Sequence, residues 1–183
     1  MKRLLFVSIF FIANVALVAN AMPNKPGSIR DFSVSKMREL TSKNIQSRFG
    51  KPDCKVAILQ CPDGSLVNAL TFCFRNGYYF TAYMFHGKLA GYTVEIVDDD
   101  KTTANTFAEA SEQLGISTAD LEKTFQSPSY GNFCVRTYKG NSVNHVKEIS
   151  TTQDGSCDLA TSPVIMVNVD FDNYPDGCVI LDD

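Results

Sequence analysis

Residues 66–96 read LVNALTFCFRNGYYFTAYMFHGKLAGYTVEI, and this stretch determines the fold prediction. Its apolar and aromatic runs are interrupted at Asn76-Gly77 and again at His86-Gly87. Asn-Gly is the strongest short hairpin signal, because a type I′ turn requires positive φ at both central residues. The preceding stretch, Lys55–Gln60, is strand-like as well. The sequence therefore predicts a meander of about four antiparallel strands over residues 55–97.

Pairing across these turns assigns the side chains of the meander to two faces of a sheet. A two-residue turn at Asn76-Gly77 predicts a core-facing set made of Leu70, Phe72, Phe74, Tyr79 and Tyr83. The opposite face then carries a second apolar set made of Phe80, Ala82 and Met84. Because both sets are apolar, we expect both faces to be at least partly covered. The aromatic stripe is interpreted as core rather than as a ligand groove.

Two regions outside the meander have helical patterns. In Asp31–Phe49 the apolar residues recur at near-helical spacing, which predicts one amphipathic helix. Residues 107–125 (FAEASEQLGISTADLEKTF) predict two short helices, with Gly115 ending the first and Ser117 capping the second. Further strands are predicted at residues 133–138, 144–150, 163–171 and 178–181. The predicted class is α+β: an antiparallel meander packed with an N-terminal helix and a helical hairpin, stabilised by disulfides.

The two-helix pattern at residues 107–125 is also typical of a DNA-binding helix-turn-helix, but its charges argue against that function. Asp120 and Glu122 outnumber Lys123 in the second predicted helix, and Asp98–Asp100 lie just upstream. A helix that reads a DNA groove needs Arg, Lys, Asn or Gln at base edges and cations at phosphates. We therefore expect no DNA partner.

The N-terminus has the three-part pattern of a secretory signal. Lys2 and Arg3 precede the apolar residues 4–18, and Ala19-Asn20-Ala21 supplies small residues at the cleavage positions. The apolar run is shorter than the roughly 20 residues that a membrane helix needs. We therefore predict a signal peptide at residues 1–21, a single secreted α+β domain at residues 22–183, and no membrane span.

The charge of the predicted secreted domain is acidic. Removing Lys2 and Arg3 lowers the basic count from 17 to 15 against 20 acids, which gives a net charge of −5. No Lys or Arg follows Glu148, whereas seven acids do. This balance argues against a protein that must neutralise phosphates along a nucleic acid.

The cysteines predict disulfides, because an even number follows a secretory signal. The six are Cys54, Cys61, Cys73, Cys134, Cys157 and Cys178. If Lys55–Gln60 is one strand, Cys54 and Cys61 lie roughly 20 Å apart at about 3.3 Å per residue, too far for a bond. Cys54 fits better opposite Cys73, across the hairpin. A zinc site is disfavoured, since the chain has no CxxC and only two histidines.

The sequence offers only weak candidates for chemistry. His86 and His145 are the only histidines, and either is a catalytic candidate only if an acid lies nearby. Asp170, Asp172 and Asp176 are candidate calcium ligands, although a turn rich in Asp, Asn and Pro also explains them. No nucleophile elbow, P-loop or dinucleotide fingerprint is present, so no cofactor is expected.

Residues 85–92 (FHGKLAGY) resemble a hairpin of the guanyl-specific microbial ribonucleases. Ribonuclease-like secreted effectors of plant-pathogenic fungi share the fold of those enzymes. In the ribonucleases a catalytic histidine lies on the strand after Leu-Ala-Gly, whereas the corresponding strand, Tyr92–Ile96, contains none. The resemblance therefore implies a related fold without that catalytic histidine.

The whole chain resembles the small secreted cysteine-containing effectors of plant-associated fungi in size, signal, cysteine count and lack of a catalytic signature. This resemblance implies a secreted, extracellular and non-enzymatic protein that binds an unidentified host or extracellular partner, with uptake into a host cell as a further option. One alternative is a secreted hydrolase, such as a ribonuclease-like enzyme, that uses His86 or His145. Another is a structural or stress protein of the bacterial periplasm.

Overall fold

The computed structural model describes most of the chain that follows the predicted signal peptide. The described ranges are 26–74, 77–96, 106–117, 122–128, 133–140, 145–154 and 163–181. The predicted signal peptide, residues 1–21, lies outside these ranges.

The described residues form nine strands of a single antiparallel sheet. They are β1 (Lys55–Gln60), β2 (Leu66–Cys73), β3 (Tyr78–Phe85), β4 (Lys88–Ile96), β5 (Glu122–Pro128), β6 (Phe133–Lys139), β7 (Val146–Asp154), β8 (Val164–Phe171) and β9 (Val179–Ile180). Their order across the sheet is β5-β6-β7-β8-β4-β3-β2-β1-β9. The predicted meander is thus present as β1–β4, and a second meander is formed by β5–β8.

The two meanders join through the last strand of each. β4 pairs with β8 from Gly91 opposite Asp170 to Glu95 opposite Met166. After β8, residues 172–178 cross back over the first meander, and β9 then pairs with β1 at the far edge. We call residues 172–178 the crossing segment. Because of this segment, the C-terminal part of the chain pairs with both edge strands of the β1–β4 meander, β8 with β4 and β9 with β1.

The predicted helix over residues 31–49 is wrong as a single element. The chain forms a 3₁₀ turn at Ile29–Phe32, then α1 (Val34–Arg38) and α2 (Ile45–Phe49). Between α1 and α2, Thr41 forms a β-bridge with Lys88, and the Leu89 amide donates to the Leu40 carbonyl at 3.2 Å. The backbone of Leu40 and Thr41 therefore pairs with the start of β4, and these groups cannot form the hydrogen bonds of a continuous helix.

The predicted helical hairpin is also wrong, although its first helix is present. α3 (Phe107–Leu114) begins at a capping box between Thr106 and Glu109 and ends at Gly115, whose φ is 74°. The second half of the second predicted helix belongs to β5, which pairs with β6 along its length, and residues 118–121 lie outside the described residues. A helix of about eight residues is marginal in water by itself, so pairing to an existing sheet prevails. The fold is mainly β, and the predicted α+β class is incorrect.

The main core lies between one face of the sheet and the short helices. Phe80 is fully buried there, with ring centroids 4.8 Å from Phe49 and 5.2 Å from Phe32. The Tyr92 hydroxyl donates to the Phe32 carbonyl at 2.8 Å, and burial raises the pKa of Tyr92. α3 belongs to the same core, since Phe107 stacks on Tyr138 at 4.7 Å. The helices thus cover one face of the sheet.

The predicted assignment of side chains to the two faces is wrong by one residue. The Phe74 amide donates to the Tyr78 carbonyl at 2.9 Å, so the turn between these paired residues contains three residues rather than two. Phe72 consequently lies opposite Phe80, and Cys73 lies opposite Tyr79. Because the side-chain period of a strand is two, this shift moves Tyr79 and Tyr83 away from the core face.

Disulfides connect both ends of the first meander. Cys54 is bonded to Cys73 across β1 and β2, with Cα atoms 5.8 Å apart, as expected for this hairpin. Cys61 is bonded to Cys178, 117 residues later in the chain. Cys134 is also disulfide-bonded, and Cys157 lies outside the described residues. These bonds are consistent with an extracellular location. Within the described ranges, no helix has the length and apolar character needed to cross a bilayer.

Candidate functional site

The face of the sheet opposite the main core carries a polar cleft. In β8 the side chains of Val167, Val169 and Phe171 are buried in the core, so Asn168 and Asp170 point to the other face. Together with neighbours from β3, β7 and the crossing segment, they line a cavity of about 250 Å³. We call this cavity the carboxylate cleft, and its lining residues are Tyr83, Glu148, Ser150, Asn168, Asp170 and Tyr174.

Two carboxylates face each other across adjacent strands in this cleft. Glu148 on β7 is the register partner of Asp170 on β8, which places their Cβ atoms about 4.5–5.5 Å apart. Burial raises the pKa of Asp170 to about 6, and the Glu148 carboxylate adds to the rise. Lys147 acts in the opposite direction. Like charges placed directly opposite one another destabilise a sheet, so the cleft suits a positively charged or hydrogen-bond-donating group.

The cleft exists because β4 has a glycine where a larger residue would fill the space. A Cβ atom on Gly91 would lie 2.9 Å from Asp170 Oδ1 and 3.0 Å from Tyr174 Cδ2. Tyr174 packs edge-on against Tyr83, with ring centroids 5.7 Å apart. Burial, together with the negative charge of Asp170, raises the pKa of Tyr174 to about 12. The two tyrosines therefore form an aromatic wall beside the carboxylate pair.

A second cavity, which we call the histidine pocket, lies where β4 and β7 begin and β8 ends. Its volume is about 320 Å³. α1 contributes Arg38, and the bridge between Thr41 and Lys88 holds this helical region beside the start of β4. The full lining is Arg38, Lys88, Leu89, His145, Phe171, Asp172 and Asn173.

His145 and Asp172 are joined twice within this pocket. His145 Nδ1 lies 3.2 Å from Asp172 Oδ2, and the Asp172 amide donates to the His145 carbonyl at 3.0 Å. The two residues flank β7 and β8, whose antiparallel pairing brings Val146 opposite Phe171. His145 also has a φ of 54°, a left-handed conformation that costs a non-glycine residue about 1 kcal/mol or more. Asp172 therefore contacts both the backbone and the ring of His145, whose side chain is 57% exposed. Nε2 makes no hydrogen bond to the part of the chain that the structure describes.

The other residues singled out from the sequence are dispersed. His86 lies in the β3–β4 turn and stacks on Phe85, and it lines neither cavity. The three candidate calcium ligands do not converge: Asp170 faces Glu148, Asp172 contacts His145, and Asp176 forms an ion pair with Lys147.

One group of potential metal ligands is found among the described residues, and it contains none of these aspartates. Its members are Asp53, Cys54 and Cys73. Both cysteines are bonded to each other, and Asp53 Oδ1 accepts from the Cys73 amide at 2.9 Å. Because a bridged cysteine has no thiolate to offer, this group is a structural contact.

One edge of the sheet is apolar and exposed. Among the described residues, seven large hydrophobic side chains are exposed, and six of them cluster around β1 and β9. These six, which we call the apolar edge, are exposed by 42–65% and are Val56, Ile58, Leu66, Val179, Ile180 and Leu181. Their backbones are tied together, since Ile180 pairs with Leu59 and the Leu181 amide donates to the Ile58 carbonyl. Tyr79 is the seventh exposed residue and belongs to β3.

Sequence reasoning missed the carboxylate cleft and the apolar edge. A signal for the first was present in Val167–Phe171, where apolar residues alternate with Asn168 and Asp170. Glu148 is 22 positions earlier, however, and its approach depends on the register of β7. For the apolar edge, the predicted strand at 178–181 was found, but its position beside β1 was not.

Comparison with known proteins gives little guidance. No protein family matches the sequence, and no curated protein is similar to it. A structural likeness is found to an extracellular protein containing an SCP domain from Bacillus anthracis str. Ames, with 13% sequence identity and a TM-score of 0.40. The match covers 88% of this chain and 54% of that protein. A likeness this distant assigns neither fold nor function.

Proposed function

We propose that the protein is a secreted, non-enzymatic binding protein of the effector type, which binds an extracellular host protein through its apolar edge. The observation that carries this proposal is the clustering of six of the seven exposed large apolar side chains at one edge of the sheet. Apolar surface is scattered on most monomeric proteins, and a contiguous exposed patch is typical of an interaction site.

The proposed occupant of the apolar edge is an extended segment of the partner protein. β9 ends the sheet, so its outer backbone groups are available for pairing with another strand. Val179 and Ile180 point to opposite sides of that strand, which lets an added strand contact apolar groups on both faces.

The charge around the apolar edge indicates the kind of segment that fits. Asp182 and Asp183 come one residue after β9 in the sequence, and Asp63 lies in the turn after β1. The chain has no Lys or Arg after Glu148. We therefore expect the partner segment to combine apolar residues with flanking basic ones, because charge complementarity favours encounter and register.

The test uses purified protein comprising residues 22–183, infiltrated into plant leaves, with cell death and immune activation as the readouts. Val179→Lys combined with Leu181→Lys places charges on the apolar edge. Tyr79→Lys is the matched control, since it also places a lysine at an exposed apolar site. The wild type and Tyr79→Lys should give a response that the edge variant loses. A response that survives in the edge variant, or no response from the wild type in several hosts, would count against the proposal.

A secreted hydrolase is a second candidate, and a specific observation favours it. The His145–Asp172 pair lies in a cavity that Arg38 and Lys88 also line. A histidine oriented by a carboxylate can serve as a general base, and cations can stabilise a developing negative charge. The test is hydrolysis of RNA and of simple esters by the wild type, by His145→Ala and, as control, by His86→Ala. Activity that is absent, or that His145→Ala retains, would remove this candidate.

A further inference from the structure

We infer that the histidine pocket binds a phosphate group, either as the free ion or as a phosphate monoester of a small molecule. The inference concerns the same pocket as the second candidate function, but it requires binding alone and no hydrolysis. It is also independent of the apolar edge. It rests on the cations that line the pocket, on the pairing of His145 with Asp172, and on the size of the cavity.

The cations of the pocket have no carboxylate partner in the described part of the chain. Neither Arg38 nor Lys88 takes part in an ion pair there, whereas Lys36 and Lys147 do. The acid in the lining, Asp172, is already paired with His145. Two cations that line one concave surface without an ion-pair partner in the described residues favour an anion there, and the Arg guanidinium can donate two parallel hydrogen bonds to phosphate oxygens.

When its imidazole is neutral, His145 can favour hydrogen phosphate over sulfate. Asp172 Oδ2 accepts from Nδ1 at 3.2 Å, which leaves Nε2 as the ring atom available to a ligand. In the neutral imidazole Nε2 is then an acceptor, and it can accept from the hydroxyl of hydrogen phosphate. Sulfate is fully deprotonated near neutral pH and has no hydroxyl to donate. The pocket should therefore bind phosphate more tightly than sulfate.

The remaining lining limits the size and character of the ligand. Leu89 and Phe171 are buried and form an apolar floor, while the Asn173 side chain donates to the Leu89 carbonyl at 3.5 Å. A volume of about 320 Å³ lies at the lower end of the range for small-molecule sites. The pocket thus accommodates a phosphate with a small organic group rather than a continuous nucleic-acid backbone, which the acidic net charge also disfavours.

The test is isothermal titration of the secreted protein with inorganic phosphate at pH 7 and constant ionic strength, with sulfate titrated in parallel. Arg38→Gln and Lys88→Gln remove the pocket cations. Arg30→Gln and Lys43→Gln are matched controls, because both residues are exposed in the same N-terminal region and do not line the pocket.

Saturable binding of phosphate that is tighter than that of sulfate is the expected result. Each pocket variant should weaken phosphate binding by roughly tenfold or more, since each removes a charged hydrogen bond, and each control should change it less than about twofold. Carbon-bound ring protons of His145 should also shift on adding phosphate to the wild type.

Three results would overturn the inference. They are absence of saturable phosphate binding, equal weakening by the control variants, and sulfate binding at least as tight as phosphate binding. If phosphate binds as expected but RNA and ester hydrolysis are absent, the inference stands and the hydrolase candidate falls. If phosphate does not bind while the apolar-edge variant still loses its host response, the inference falls and the proposed function stands.

Discussion

Glu148 on β7 lies directly opposite Asp170 on β8, and Asp170 in turn lies opposite Gly91 on β4. This arrangement places a half-buried carboxylate beside another carboxylate, in space that only a glycine leaves open. Each consequence of this geometry can be measured independently of any partner.

Asp170→Asn should stabilise the protein at high pH. The folded-state pKa of about 6 lies above the ordinary value of 3.8, so the folded state holds this proton more tightly than the unfolded state. The resulting stability is present below about pH 4 and is lost as the pH rises through 6. Urea unfolding should therefore show the variant more stable than the wild type by on the order of 1–2 kcal/mol at pH 8, with little difference at pH 4. Glu112→Gln on exposed α3 is the control, and equal stability of Asp170→Asn and the wild type at both pH values would contradict the account.

Glu148→Gln should lower the pKa of Asp170 without restoring it to 3.8. Burial is the larger cause of the raised pKa of Asp170, and the Glu148 charge is the smaller one. A titration followed by the carboxyl-carbon resonance of Asp170 should therefore give a midpoint between 3.8 and about 6 in the variant. An unchanged midpoint would show that the two carboxylates do not interact as the register indicates.

Gly91→Ala should destabilise the protein through steric overlap. The added methyl would lie 3.0 Å from the Val169 carbonyl, which is backbone and cannot rotate away, as well as close to Asp170 and Tyr174. Overpacking of this kind costs about 1–3 kcal/mol in the free energy of unfolding. Gly27→Ala is the control, because its nearest neighbour would be 3.8 Å away. A midpoint of thermal unfolding that is the same for both variants would contradict the described packing.

Removing the Cys61–Cys178 bond should destabilise the protein more than removing the Cys54–Cys73 bond. The first closes a loop of 117 residues and the second a loop of 19. On chain-entropy grounds the losses are about 5 and about 3 kcal/mol, respectively. Paired Cys→Ser variants, compared by denaturant unfolding, measure both values. The reverse ranking would indicate that the crossing segment is held by its other contacts, such as Tyr174 against Tyr83.

Local features of the fold could be predicted from the sequence, whereas features that depend on distant pairing could not. The bounds of β3 follow from residue alternation and the flanking glycines, and α3 follows from its apolar spacing and Gly115. The pattern of residues 117–125 suits a short helix, but pairing with β6 makes its second half a strand. Similarly, one additional residue in the β2–β3 connection reversed the predicted faces of Tyr79 and Tyr83.

The candidate sites depend almost entirely on such distant pairings. His145 was identified as a weak candidate, but its partner Asp172 is 27 positions away and had been assigned to a possible calcium loop. A usable signal existed: His145 lies at the start of the strand predicted at residues 144–150, and Asp172 follows the strand predicted at residues 163–171. Neighbouring antiparallel strands bring such positions together. The apolar edge had no comparable signal, because β9 joins β1 only after the crossing segment spans the first meander.

If a partner protein adds a strand at the apolar edge, as proposed, amide hydrogen exchange should detect the addition at β9. The secreted protein would be incubated with host extracellular fluid, and exchange would be compared for the free protein and for the complex it forms. New protection is expected at residues 179–181, with β5 at the opposite edge unchanged. The complex should be lost in the variant that combines Val179→Lys with Leu181→Lys, but not in Tyr79→Lys. A complex that leaves residues 179–181 unprotected, or the failure of the wild type to form any complex, would contradict strand addition at the apolar edge.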